Sequence, residues 1–225
     1  TRHVILRLET SDGAVGWGEA APWPVFTGTP EAALAALDKH LRPIVIGARP
    51  DRVSAVMRAA EARLVGHPEA KAALEMALFD LLGRAAGLPV AELLGGRCRE
   101  RIPLSISLAD PDLAADMERA RAVWEDGLRI FKIKTGVAGH AFDLARLEAL
   151  RNEFPDADIR IDYNQGMAPH EAMRRLRDLE RFAPTFIEQP VPAACRESMA
   201  AITAALDTPI LADESVFTPA DALLA

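Results

Sequence analysis

Phe131-Lys132-Ile133-Lys134, Ile159-Arg160-Ile161-Asp162-Tyr163-Asn164, Phe186-Ile187-Glu188-Gln189-Pro190 and Ile210-Leu211-Ala212-Asp213-Glu214-Ser215 are short apolar runs that each end in charged or amide side chains. The intervals from Lys134 to Asp162, from Asp162 to Glu188 and from Glu188 to Asp213 are nearly constant. Each is close to one strand-helix unit, the repeat of a parallel sheet with crossover helices. An open doubly-wound sheet and a barrel both satisfy that repeat. No G-x-G-x-x-G follows any of these strands and no phosphate loop is present, which weakens the nucleotide-binding version. Charged groups at the carboxyl ends of several strands fit a TIM-like parallel α/β barrel, a modified (β/α)8 whose sites lie at that rim. Two lysines and three carboxylates are then expected to meet in one pocket.

Working outward, the alternation extends from Ile102 to Ala225, with a further strand over 102–108 and helices over about 111–125, 141–153, 170–182 and 196–206. That makes about five strands, so the barrel is incomplete as it stands, and the chain is expected to be part of a longer protein. Upstream the pattern differs. Val4, Leu6 and Leu8 alternate with Ile5, Arg7 and Glu9, Ser11-Asp12-Gly13 makes a turn, and Gly13 to Glu19 returns as a second strand. Thr29 caps a helix with Pro30 at its first position, reaching about Leu41. Helices over 51–65 and 67–86 follow, ending at Gly66 and Gly87. The reading is an α+β capping domain at 1–97, whose first strand precedes Thr1, and the N-terminal part of the barrel at 98–225.

The chain has 225 residues and a net charge of −7, which argues against binding nucleic acid through phosphate neutralisation. No apolar run approaches the roughly 18 residues that span a bilayer. Cys98 and Cys195 are isolated, as in a reduced cytoplasmic protein. The five histidines are dispersed and lie at no strand end, so zinc is not indicated.

Lys132 and Lys134 point the same way from one strand. Buried there, they need partners or a function. Asp162, Glu188 and Asp213 come from three consecutive strands, and gathering them raises their mutual repulsion unless a hard divalent cation is present. Mg²⁺, with Mn²⁺ as its substitute, takes such oxygen ligands. A lysine beside that cation suits removal of a proton α to a carboxylate, because the charge of the resulting enediolate needs a cation. Lys134, with an ordinary pKa of about 10.4, is expected to be pushed down by Lys132 and the cation. Lys132 can donate to a substrate carboxylate, and Asn164 can hydrogen-bond a ligand or the lysine pair.

The ordered set Lys132-Ile133-Lys134, Asp162-Tyr163-Asn164-Gln165, Glu188-Gln189-Pro190 and Ala212-Asp213-Glu214-Ser215 resembles the enolase superfamily, in its muconate-lactonizing-enzyme (mandelate racemase/muconate lactonizing enzyme) subgroup. Gly16-Trp17-Gly18-Glu19-Ala20 and the loop from Trp23 to Thr29 are similar to that family's capping domain and mobile substrate loop. The resemblance implies Asp162, Glu188 and Asp213 as Mg²⁺ ligands, and Lys134 as one acid/base with Lys132 assisting. It implies Glu214, beside the fifth-strand ligand, as a supporting residue next to the Asn164 already read, and Trp23, Phe26 and Thr27 on the substrate loop. It also implies a second lysine on a sixth strand and a homo-oligomer acting on a small-molecule carboxylate. The expected activity is an isomerase (cycloisomerase, racemase or epimerase). The alternatives are a dehydratase of the same superfamily, another metal-dependent barrel lyase, or a non-catalytic binding protein that keeps the fold.

Overall fold

A computed structural model describes residues 2–225. The chain divides into two compact units, one ending at Glu100 and one spanning Arg101–Ala225.

The first unit opens with the hairpin β1 (Val4–Glu9) and β2 (Val15–Ala20), paired antiparallel from Val4↔Ala20 to Glu9↔Val15. Gly13 takes a φ of 88° in the turn, a left-handed conformation that favours glycine. Helices α1 (Pro30–Ala35), α2 (Arg42–Val45), α3 (Val53–Arg63), α4 (Pro68–Ala86) and α5 (Val90–Leu93) follow. The glycines of Gly16-Trp17-Gly18 are explained by α4: a Cβ at Gly16 would collide with the Ala77 carbonyl oxygen, and one at Gly18 with that of Ala73. The strand therefore lies directly on the helix backbone.

The expected single helix from Thr29 to Leu41 is interrupted. Thr29 caps α1 as its sequence indicates, accepting the Ala32 N–H. Residues Ala36–Leu41 then form a π-helical turn in which the Arg42 N–H reaches back to Leu37 O. Pro43 is the physical reason: it has no N–H for the carbonyl four residues earlier, and the widened turn re-registers the ladder just before it. Ala36, Leu37 and Leu41 are thereby buried with Val53, Val56, Leu74 and Leu78.

The second unit alternates strand and helix: β3 (Ser105–Leu108), α6 (Leu113–Glu125), β4 (Ile130–Lys134), α7 (His140–Glu153), β5 (Asp158–Asp162), α8 (Pro169–Glu180), β6 (Phe186–Glu188), α9 (Arg196–Ala205), β7 (Ile210–Leu211) and α10 (Pro219–Ala222). The five strands form one parallel sheet in the order β3-β4-β5-β6-β7. The strand expected from Ile102 begins only at Ser105. Ile102 and Leu104 are exposed, and Pro103 between them has no N–H to give a ladder. Phe131, Ile133, Ile159, Ile161 and Ile187 are fully buried beneath Leu147, Leu150, Leu176 and Leu179 of the crossover helices. This apolar layer leaves Lys132 and Lys134, with Arg160 and the strand-end carboxylates, at the alternate positions of β4, β5 and β6.

Candidate active site

Register brings the strand ends level. Lys134 pairs with Asp162 across β4 and β5, and Asp162 with Glu188 across β5 and β6. Because the strands are parallel, the side chains of paired residues stand side by side.

Lys132 and Lys134, two residues apart, project to the same face. Lys132 Nζ lies 2.9 Å from Asp162 Oδ2 and 2.8 Å from Glu188 Oε2. Lys134 Nζ donates to Asp162 Oδ2 at 2.5 Å and to Asn164 Oδ1 at 2.5 Å. Asn164 Nδ2 donates to Glu214 Oε1 at 3.2 Å. The Asn164 N–H is bound to Asp162 Oδ1 at 2.8 Å, which closes a short turn at the strand end. Thr135 holds the Asp162 carbonyl from its N–H at 3.0 Å and from its hydroxyl at 2.9 Å.

These contacts set the charges. Burial raises the Asp162 carboxyl, but the hydrogen bonds from Lys134 and Lys132 outweigh it, and Asp162 is held below the ordinary carboxylate range. Burial pulls the Lys132 ammonium down, yet its bonds to Glu188 and Asp162 prevail and its pKa is raised. Glu188 goes the other way: burial pushes its carboxyl up, Lys132 opposes, and the charges of Asp162 and Asp213 push it further, so the net direction is upward.

The donor set suits a hard divalent cation. Two buried carboxylates share one edge, a third acts on Glu188 through space, and the compensating charge between Asp162 and Glu188 is a lysine ammonium. Among the described residues no three Asp, Glu, His or Cys side chains stand close enough to hold an ion as they are. Asp162 and Glu188 are together, while Asp213, half-buried beyond the end of β7, is not gathered with them.

The backbone beyond the strands is unusual. Asn164, Gln165 and Gln189 have φ values of 42°, 68° and 33°. Non-glycine residues seldom occupy this left-handed region, and such conformations concentrate at functional sites. Gln189, to which the strand-end pattern assigns no role, is fully buried and bonded through its whole amide. Arg146 is a second residue that the sequence does not single out. It is fully buried on α7, lies 3.0 Å from Asp116 Oδ2, and donates to the carbonyl oxygens of Leu108 at 3.1 Å and Lys134 at 3.3 Å. Trp23, Phe26 and Thr27 lie in the first unit. The two rings stack at 6.1 Å, and the Thr27 N–H closes a turn onto Trp23 O.

Residues 1–95 match the model of the mandelate racemase/muconate lactonizing enzyme N-terminal domain, and residues 115–224 match the enolase C-terminal domain-like model. An L-Ala-D/L-Glu epimerase of Bacillus subtilis (strain 168) is 37% identical over 97% of this chain and 61% of its own length. Muconate cycloisomerase 1 of Pseudomonas putida is 35% identical over 97% of this chain and 60% of its own. The crystal structure of a muconate cycloisomerase from Azorhizobium caulinodans superposes with a TM-score of 0.93 at 55% identity, covering 100% of this chain and 62% of that one. The chain thus spans about three fifths of the length of the proteins it matches.

Proposed function

The chain belongs to the mandelate racemase/muconate lactonizing enzyme family of the enolase superfamily, and from that premise we propose that it forms the cation-and-base part of an isomerase acting on a small carboxylate. The proposed reaction moves a proton at the carbon α to that carboxylate. The observation that carries the proposal is the Lys132, Lys134, Asp162 and Glu188 cluster at the ends of three adjacent strands.

Lys134 is the proposed proton carrier. Its Nζ is aimed by one carboxylate oxygen and one amide oxygen, so its position is fixed before substrate arrives. The Asn164 side chain, itself donating to Glu214, keeps its oxygen turned towards the lysine. Lys132, placed between Asp162 and Glu188, suits donating to a substrate carboxylate. Asp162, Glu188 and Asp213 are the residues that would hold a divalent cation, Mg²⁺ or Mn²⁺. When bound, that ion supplies the charge that stabilises an enediolate. Without such a charge an enediolate is too high in energy to form at a useful rate, which is why the base and the carboxylates belong to one site.

The names of the relatives favour an epimerase or a cycloisomerase among family outcomes. Both need a proton delivered to or taken from the same type of carbon. The test is proton NMR in D₂O with the full-length protein, using dipeptides, N-acyl amino acids and muconate, each with and without Mg²⁺. Mg²⁺-dependent loss of an α-proton signal in the first two, or deuterium in the lactone formed from muconate, is the expected result. Absence of both, with intact protein, would sink the assignment.

A further inference from the structure

Strand β7 is only two residues long and its ladder ends at Glu188↔Leu211. Asp213 comes two residues later, so sheet pairing does not set its main chain. Gln189 does. Its Oε1 accepts the N–H groups of Asp213 at 3.0 Å and Ser215 at 3.1 Å. Its Nε2 donates to Val191 O at 2.9 Å and to Ser215 Oγ at 2.7 Å. An amide has two donors and two acceptor lone pairs, and here all four are used. That pattern also fixes which end of the amide is oxygen, since two backbone N–H groups face it. Its own backbone joins the same scaffold: the Gln189 N–H donates to Leu211 O at 2.9 Å, and its carbonyl accepts from Gln165 at 2.8 Å. The left-handed φ of 33° turns the side chain inward. That conformation carries a cost, which four satisfied buried bonds offset.

We infer that Gln189 is a positioning residue that fixes the backbone of Asp213, the third carboxylate, beside Glu188, and so sets the affinity for a divalent cation. This rests on the proposed ligand set of Asp162, Glu188 and Asp213. The pin acts on the Asp213 main chain and leaves its side-chain torsions to adjust, so an ungathered carboxylate and a fixed backbone coexist. Without the amide, the Asp213 and Ser215 N–H groups lose their acceptor and the 213–215 segment loses its anchor to β6. Residues that orient ligands from behind typically account for about 10–100-fold in metal affinity.

The test is Mn²⁺ binding to the full-length protein, followed by the electron paramagnetic resonance of free Mn²⁺, on wild type, Gln189→Met, Asp213→Ala and the double variant. Gln189→Met removes the amide at similar volume. It is expected to weaken binding about 10–100-fold, and Asp213→Ala at least as much. The double variant is expected to bind no more weakly than Asp213→Ala, because the pin has nothing left to position. Wild-type affinity in Gln189→Met alongside weakened Asp213→Ala would overturn the positioning role alone, as would effects that multiply in the double variant. Failure of wild type to bind Mn²⁺, or undiminished binding by Asp213→Ala, would overturn the ligand set and this inference with it. Should Gln189→Met not fold, Gln189→Asn, one methylene too short to bridge, takes its place in the cycle. Loss of the fold in both would mark Gln189 as a core residue and end the proposal.

Discussion

Lys134 belongs to two groups of charges at once. Its Nζ joins the rim cluster with Asp162, Asn164, Lys132 and Glu188, and its carbonyl oxygen is held from below by Arg146. Both groups contain buried ions, yet they differ in what they can do. Lys132 and Lys134 are partly exposed, with side-chain accessibilities of 25% and 29%, so a ligand can reach them. Arg146 and Asp116 are at 0% and 2%. The deep pair ties α6 and α7 to the ends of β3 and β4 and meets no solvent. Buried charge alone therefore does not mark a functional site. Access distinguishes the rim, together with neighbouring carboxylates that push on one another. At the rim Asp162 and Asp213 push Glu188 up, in addition to its burial.

Substitutions can separate the two groups. The largest effect is expected at the rim, on chemistry. Lys134→Ala should slow α-proton exchange by about 10²–10⁴-fold, the usual contribution of a general base, while the urea midpoint moves little; exchange by NMR and a denaturation curve read the two arms. Next comes the deep pair, on stability. Arg146→Met strands Asp116 as an uncompensated buried charge and should cost about 3–5 kcal/mol in urea unfolding. Adding Asp116→Leu should recover much of that loss, since an apolar pair of similar volume replaces a buried ion pair well.

Acid titration distinguishes carboxyls by sign. Burial holds the Asp143 carboxyl above its ordinary range. The folded form therefore keeps a proton that the unfolded chain has released, and stability falls as pH rises from about 4 through the folded value. Asp162 is depressed instead. Its contribution is present above about pH 4 and is lost as pH drops through its folded value. Asp143→Asn should flatten the decline above about pH 4, and Asp162→Asn should remove part of the loss below it, both measured by urea unfolding across pH. The smallest effect is expected at a pair outside both groups. Arg175 and Glu171 sit one helical turn apart on α8 at 3.0 Å. In the same urea assay Arg175→Ala should cost only about 0.5 kcal/mol, the usual scale of such a helical pair.

The rim was legible in sequence because strand geometry is periodic. A side chain two residues along a strand returns to the same face, and one strand-helix unit returns to the same level, so Lys132, Lys134, Asp162 and Glu188 could be placed together by counting. Asp213 lies two residues past the last paired level, at Leu211. It follows a two-residue strand, and its position depends on a side-chain amide whose partners lie 24 and 26 residues away. Nothing in the pattern of Glu188-Gln189-Pro190 reveals that the middle residue turns inward with a positive φ. Arg146 was hidden for a simpler reason: one arginine in an arginine-rich helical region carries no sign of burial. In the first unit, Pro43 is plain in the sequence, but hydrophobic periodicity carries no measure of how a proline reshapes the turn before it.

The proposed site stands or falls on whether the rim carboxylates hold a divalent cation. It is tested most directly by thermal unfolding of the full-length protein against Mg²⁺ concentration, in wild type and in Glu188→Gln. Mg²⁺ is expected to raise the wild-type midpoint progressively, as a ligand bound only by the folded state must, and Glu188→Gln to lose most of this rise. A wild-type midpoint indifferent to Mg²⁺, or an equal rise in Glu188→Gln, would contradict it.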